Sequence, residues 1–453
     1  MTQHQAFFDP WRTCCGPLAD IAADIAQALP AEENRKRKRR AAAEVNFRLC
    51  VDVVFANLAH GLAHVPPVAV AVSLANRRKA LTRYDRRGLK RLTAVLEALH
   101  QGGLIILTKS KRRGQVSSII VSSRLKAKLK SADITQAHIG RAEGEELVVV
   151  NRTVRGFTSR MEEGEEVVRY GKATQRVDYV REVTWLHRTR EDLKSLNRSL
   201  HEADLQFLAD DPAIDLAQRT LKRVFSLPEG QPIDSFKFNS GGRLFGGWWQ
   251  RVHRSQRHLI RINSEPAAEV DFEQLFPRLA CLKAGVTLPP GDVYAVPGFE
   301  QHRAGIKKVV NALIFATKPL VRLPKDISRD ELPAGLKLPD IRSAILAHQP
   351  LLAAGFEKGL GLGLMYDESR ILLAVLKKLM AQGVVALPLH DAVIVSASEI
   401  AVTMSAMRES ALEVVGSELP LKVKELMMDS SSPHPPRPQG APRETQLHLE
   451  AST

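Results

Sequence analysis

The stretch from Val384 to Val395 reads Val-Val-Ala-Leu-Pro-Leu-His-Asp-Ala-Val-Ile-Val. Two apolar, strand-like runs are broken only by His390 and Asp391. Apolar residues on both sides of a two-residue polar break predict a tight hairpin with buried strands and a carboxylate in its turn. A charge at the end of buried strands is costly unless another group answers it. A buried β-sheet with a carboxylate at its edge is thus the first constraint on this chain.

A second carboxylate meets the same description. Asp271 falls near the end of Ala267-Ala268-Glu269-Val270-Asp271-Phe272, and helical spacing follows through Leu275, Leu279 and Leu282. If the two strand segments pair in one sheet, both carboxylates emerge at one edge. Two carboxylates about 4 Å apart repel by roughly 4 kcal/mol at an effective dielectric near 20. Either one takes a proton or a cation lies between them. Two Mg²⁺ ions about 4 Å apart are the established arrangement for moving a phosphoryl group. Taken singly, each Asp reads equally well as a turn former or a helix cap.

A third segment, Arg303 to Thr317, carries Ile306, Val309, Val310, Leu313 and Ile314 as a buried helical stripe. Arg303, Lys307, Asn311 and Phe315 run beside it at four-residue steps, each advancing about 6 Å with a drift of about 40°. Two cations, an amide and an aromatic ring in that order match the phosphates, sugar and base of a nucleoside triphosphate. The same pattern also describes an ordinary amphipathic helix with a wet basic edge.

Charge and composition narrow the partners. The chain has 453 residues, with 65 Lys plus Arg against 50 Asp plus Glu, a formal charge of +15. A polyanion, first of all nucleic acid, suits such a surface. No apolar run approaches the roughly 20 residues of a membrane helix, and the N-terminus lacks a signal-peptide layout. The four cysteines form neither a disulfide framework nor a CxxC zinc spacing. A cytoplasmic, reduced protein is expected, with no membrane partner.

Residues 1–45 read as a weakly ordered basic leader; its Arg35–Arg40 run is either a solvated linker or a phosphate-binding arm. Residues 46–130 read as a small module. Helical stretches are predicted over Phe47–Leu62, Val68–Leu74 and Gly88–His100, then a hairpin of Leu104–Thr108 and Val116–Ser122. Its tip carries Lys109, Lys111, Arg112 and Arg113. Helices followed by a basic hairpin are the layout of a winged helix, in which the wing touches the DNA backbone. A plain packing unit has the same layout. Residues 131–187 read as a β-rich connection, Arg188 to about Leu227 as helical, and 429–453 as a disordered tail.

The three chemical segments resemble the signatures that family A DNA polymerases share with phage-type single-subunit RNA polymerases. Asp271-Phe272-Glu273-Gln274-Leu275-Phe276-Pro277-Arg278 is similar to motif A, D-Y-S-Q-I-E-L-R, without gaps. Arg303 to Ala316 resembles motif B, R-x3-K-x7-[YF]-G, with Ala316 for the usual Gly. The His390-Asp391 turn resembles motif C. A fourth element, Asn239-Ser240-Gly241-Gly242-Arg243, is similar to the template-contacting D-x-x-G-R, with Asn239 for Asp. There Gly242 permits close backbone approach to a phosphate and Arg243 supplies charge. Trp248 and Trp249 are candidates for base stacking, at least one of them being core.

The resemblance implies an α+β chain. Residues 188–428 would form a right-hand polymerase palm, an antiparallel sheet, with reduced helical fingers, preceded by the winged-helix-like α/β module. It implies that Asp271, Asp391 and the backbone carbonyl of Phe272 hold two Mg²⁺ ions, or Mn²⁺. Arg303 would grip outer phosphates, and Lys307 would meet the triphosphate and protonate pyrophosphate. Phe315 would stack near the nascent base pair, and His390 would contact the primer end. Phe276 stands where many DNA polymerases place a Glu that blocks the ribose 2′-hydroxyl. Ala392 replaces the carboxylate often found after the His-Asp pair, which the RNA polymerase branch also lacks. No carboxylate set for proofreading is visible in the N-terminal half. The implied activity is template-directed nucleotidyl transfer of DNA polymerase or primase-polymerase type, in replication of a plasmid, phage or other mobile element. Its partners would be DNA template and primer, nucleoside triphosphates and replication proteins. A phage-like RNA polymerase and a non-catalytic winged-helix replication initiator with a degenerate palm are the alternatives.

Overall fold

A computed structural model describes residues 5–32, 40–64, 66–74, 81–110, 116–162, 165–180, 183–209, 211, 214–324 and 327–425. Two hydrophobic cores organise them. The first draws on residues from Cys14 to Leu129. The second draws on Tyr84 and then on residues from Leu147 to Leu419.

The first core begins inside the expected leader, which is a correction. Residues 5–32 form β1 (Gln5–Phe7), β2 (Arg12–Cys14) and α1 (Pro17–Glu32). Leu18, Ile21, Ala22, Ile25 and Leu29 recur at helical spacing and are buried. The basic run at 35–39 lies outside the described residues. Helix α2 (Ala41–Ala63) is apolar nearly all round, so it is central; Val51, Val54 and Phe55 are fully buried on it. The expected helix at 68–74 is instead β3 (Ala69–Val72). Four alternating β-branched and small residues after Pro66-Pro67 are too few for a stable helix. They pair parallel with β1 and antiparallel with β5. Helix α3 (Leu92–Gln101) buries Val95, Leu96 and Leu99. The expected hairpin is β4 (Ile105–Thr108) against β5 (Ser117–Val121), in a sheet ordered β1-β3-β5-β4. Its tip residues Lys111, Arg112 and Arg113 lie outside the described residues. Helix α4 (Ser123–Ser131) follows, capped by the Ser122 hydroxyl, and β6 (Ile139–Arg141) pairs with β2.

The second core starts with a long hairpin, β7 (Val148–Glu162) and β8 (Glu165–Arg176). It shares a sheet, ordered β11-β10-β7-β8, with β10 (Lys222–Leu227) and β11 (Gly241–Phe245). The connecting region at 131–187 is therefore not a separate unit: Ala132, Ile134 and Ile139 pack against the first core, and Leu147–Val150 and Tyr179 belong to the second. The helix expected from 188 to 227 stops early. Helix α5 (Thr184–Glu202) buries Leu193, Leu196 and Leu200, and β9 (Leu205–Phe207) begins at Leu205. Trp248 and Trp249 are both 0% exposed, so neither is placed to stack on a base.

The remaining strands form a six-stranded sheet in which every pairing is antiparallel. They are β9, β12 (Ile260–Ile262), β13 (Glu265–Phe272), β14 (Leu387–Leu389), β15 (Ala392–Ser396) and β16 (Leu421–Glu425). Between β13 and β14 the chain builds α6 (Leu275–Lys283), α7 (Arg303–Phe315), α8 (Leu338–His348) and α9 (Gly361–Ala381). Helix α10 (Ile400–Val415) links β15 to β16. No described helix is long and apolar enough to cross a membrane. The tail at 429–453 lies outside the described residues.

Candidate active site

Strand register brings the two carboxylates together. Asp271 pairs with Ala392 across β13 and β15, and Leu389 pairs with Ala392 across β14 and β15. His390 and Asp391 are thus the whole turn, and His390 adopts φ 58°, the left-handed conformation a two-residue hairpin needs. The Phe272 N–H donates to the Asp391 carbonyl at 3.2 Å, fixing Asp391 beside the end of β13. Phe272 itself is buried.

The electrostatics of Asp271 follow. Burial, then repulsion from Asp391, pushes its pKa up to about 6. Lys424 on β16 opposes the shift; its Nζ lies 2.6 Å from Asp271 Oδ2 and 2.7 Å from Glu269 Oε1. Asp271 Oδ1 is buried and has no partner among the described residues.

A third carboxylate escaped sequence reasoning. Glu368, on α9, is 1% exposed, and burial raises its pKa to about 7, with Asp391 and Asp271 adding to the shift. Arg243 answers it, with Nη2 at 2.6 Å and Nε at 3.1 Å from the same Oε2. Glu368 Oε1 has no partner among the described residues. The signal was present: an acid flanked by Leu364, Ile371 and Leu372 on the buried face of a helix. The charge of Asp391 thus adds to burial in raising the proton affinity of both Asp271 and Glu368, and each of these two keeps a buried oxygen with no partner among the described residues. Carboxylate oxygens are the donors a hard divalent cation takes.

Helix α7 packs against α6 and α9, the helices that follow Asp271 and precede Asp391 in the chain. Its apolar stripe Ile306, Val309, Val310, Leu313 and Ile314 is fully buried. Arg303, exposed at the start, pairs with Asp292 and lies 5.4 Å from the Tyr294 ring centroid. Burial pushes the Tyr294 phenol up; Arg303 opposes this and Asp292 and Asp391 add to it. Lys307 is exposed and has no ion-pair partner among the described residues. The Asn311 amide oxygen is buried and unpartnered there. At the far end Phe315 is 39% exposed and meets Phe276 edge-to-face at 5.5 Å. Phe276 in turn lies 5.4 Å from the Arg243 guanidinium. Gly361 begins α9 against the Phe315 ring; a Cβ there would lie 2.1 Å from it, so only glycine fits.

Other expected contacts are placed differently. Gly242 is buried, with φ 84°, and a Cβ would meet Ser369 and Phe225. The glycine therefore serves packing and is not exposed to a phosphate. Arg243 is engaged by Glu368 within the chain. His390 is exposed at the hairpin tip, its ring 5.8 Å from Phe245. Lys109 is exposed on the β4–β5 hairpin and pairs with Glu97 at 2.6 Å, away from the carboxylates' sheet.

No protein-family model matches this chain, and no curated protein is similar to it. Among solved structures it is similar to the POL domain of Pol1 from M. smegmatis, in complex with DNA primer-template and dNTP. The TM-score is 0.29 with 12% identity, over 53% of this chain and 51% of that one, so the chain spans about half its length. The functional reading accordingly rests on this chain's own residues.

Proposed function

We propose that this chain is a template-directed nucleotidyltransferase of DNA polymerase or primase-polymerase type, acting in replication of a plasmid, phage or other mobile element. One observation carries the reading: the end of β13 that bears Asp271 pairs beside the hairpin turn that bears Asp391, and the charge of Asp391 adds to burial in raising the pKa of Asp271. In this reading the six-stranded sheet is the palm and α7 belongs to reduced fingers.

Asp271 and Asp391, with the Phe272 carbonyl, would hold Mg²⁺ (or Mn²⁺). Bound there, the ions would activate a 3′-hydroxyl and steady the departing phosphate oxygen. The chain's own residues do the rest. Arg303 and Lys307 present cations to a triphosphate laid along α7, and Lys307 donates a proton to departing pyrophosphate. Asn311 offers its orphaned amide oxygen toward the sugar. Phe315 and Phe276 wall the base and ribose, and neither ring has a hydroxyl to recognise a 2′-OH, so selection between sugars is by shape. His390 faces the primer end. Catalysis is mainly positioning and charge.

The N-terminal core supplies duplex DNA binding in a winged-helix arrangement. Helix α2, strand β3, helix α3 and the β4–β5 hairpin follow in that order, with β5 between β3 and β4. Helix α4 adds Arg124, Lys126, Lys128 and Lys130 around the buried Leu125 and Leu129, with no acid in the helix. That basic face suits phosphates.

The test is primer extension and de novo synthesis on single-stranded template with Mg²⁺ or Mn²⁺ and either dNTPs or NTPs. Wild type makes product and Asp391→Asn does not; incorporation of NTPs in preference to dNTPs would assign the phage-like RNA polymerase instead. One observation favours a non-catalytic initiator: the Lys424 ammonium on Asp271. Duplex binding with no synthesis by wild type or Lys424→Ala would establish that second reading.

A further inference from the structure

His60 lies in the last turn of α2 and His64 caps that helix, so their four-residue spacing turns both imidazoles to one side. Their Nε2 atoms are 3.2 Å apart, and the rings meet at 84°. His60 Nε2 is also 3.0 Å from Oδ2 of Asp215, which lies between β9 and β10. The three donor atoms all lie within 4.8 Å of one another. His60 is 1% exposed and Asp215 7%, whereas His64 is only half-buried.

Proton accounting leaves this trio short. An imidazole nitrogen that bears hydrogen cannot accept, and one without it cannot donate. If His60 Nε2 is bare, its lone pair faces the Asp215 carboxylate. If it is protonated, a single N–H is divided between Asp215 and His64. His60 Nδ1 is meanwhile buried with no partner among the described residues. A cation at the convergence answers three lone pairs at once. Two nitrogens and one oxygen suit Zn²⁺, not Mg²⁺, which takes oxygen ligands. Arg12 Nη2 donates to the same Asp215 Oδ2 at 3.1 Å, the outer hydrogen bond that orients a ligating carboxylate, and Asp9 near Arg12 offsets its charge.

The geometry points to a zinc site formed by His60 Nε2, His64 Nε2 and Asp215 Oδ2, with water as fourth ligand. His60 and His64 belong to the helix at the centre of the first core; Asp215 belongs to the chain between two strands of the second. The ion therefore clasps the two halves of the molecule. His64, the most exposed ligand, moves to close the triangle. The site shares no residue with the carboxylate cluster and does not depend on its function.

The full-length protein is stripped with chelator, loaded with Zn²⁺ in excess Mg²⁺ to saturate hard-cation sites, desalted and assayed for metal. Wild type retains one Zn²⁺ per chain and its melting temperature rises on loading. His64→Ala, folded by circular dichroism, retains background zinc and shows no rise. Co²⁺ loading gives tetrahedral visible bands in wild type that the variant lacks. Zinc-free wild type, or equal zinc and equal bands in both proteins, overturns the site. His64 is partly exposed, so its variant decides the matter even if Asp215→Asn fails to fold.

Discussion

Arg243 Nη2 lies 2.6 Å from Oε2 of Glu368, and the two join strand β11 to helix α9 where the charges of Asp391 and Asp271 are felt by Glu368. Glu368 is the buried partner; the Arg243 side chain is 19% exposed. Removing one member of a buried ion pair strands the other's charge. Glu368→Ala is expected to cost about 3 kcal/mol of unfolding free energy, measured by urea denaturation at pH 7. Glu368→Gln keeps the shape and a hydrogen-bond acceptor and should cost much less. The raised pKa, about 7, means the native state holds this proton more tightly than the unfolded chain. Its contribution to stability is full below the ordinary carboxylate range and is lost as pH rises through 7. The Gln variant should therefore lose that part of the pH dependence between about pH 4 and 8.

Asp271 should show the conflict between stability and activity. Its native pKa of about 6 lies above the ordinary 3.8. Ionisation therefore weakens the metal-free fold as pH rises through 6. Asp271→Asn removes that penalty and should stabilise the metal-free protein by on the order of 2 kcal/mol at pH 8. Adding Mg²⁺ should raise the melting temperature of wild type but not of the variant, because only ligand bound to the native state stabilises it. Nucleotide incorporation by the variant should fall to background. A variant less stable than wild type at pH 8 without metal would contradict this electrostatic account.

Phe276 and Phe315 meet edge-to-face. Phe276→Ala opens space where a ribose 2′-hydroxyl would lie. The ratio of dNTP to NTP incorporation should fall by about tenfold, the scale of a shape-only pocket. Competition assays with both nucleotide types on one template measure the ratio. An unchanged ratio would remove Phe276 from sugar selection.

Helix α4 predicts a salt signature. Replacing Arg124, Lys128 and Lys130 with Ala removes three exposed cations from a helix with no acid. If each meets one phosphate, the slope of log K against log salt for duplex DNA should shrink by about 2.7. Fluorescence anisotropy across a salt series reads the slope. Leu125 and Leu129 anchor the helix and stay in place, so unfolding free energy should change little.

Short-range pattern determined much of this molecule. Alternation and apolar runs specified β13, β14 and β15, and the polar pair between two of them specified the hairpin that holds Asp391. Three- and four-residue spacing specified α3, α7 and the buried stripe Ile306–Ile314. The apolar period of α1, Leu18, Ile21, Ala22, Ile25 and Leu29, is a local signal of the same kind. What only tertiary structure decided was pairing at a distance. Strand register, summed over many backbone hydrogen bonds, set Asp271 beside Asp391 and Lys424. Packing buried Gly242 and both Trp248 and Trp249, where the sequence required only one of the two tryptophans to be core. The same packing brought Glu368 up to Arg243 and Asp215 up to His60, pairs separated by more than a hundred residues in each case. Charge on a buried group is set by what lies within a few ångströms in space, and no spacing along the chain encodes that.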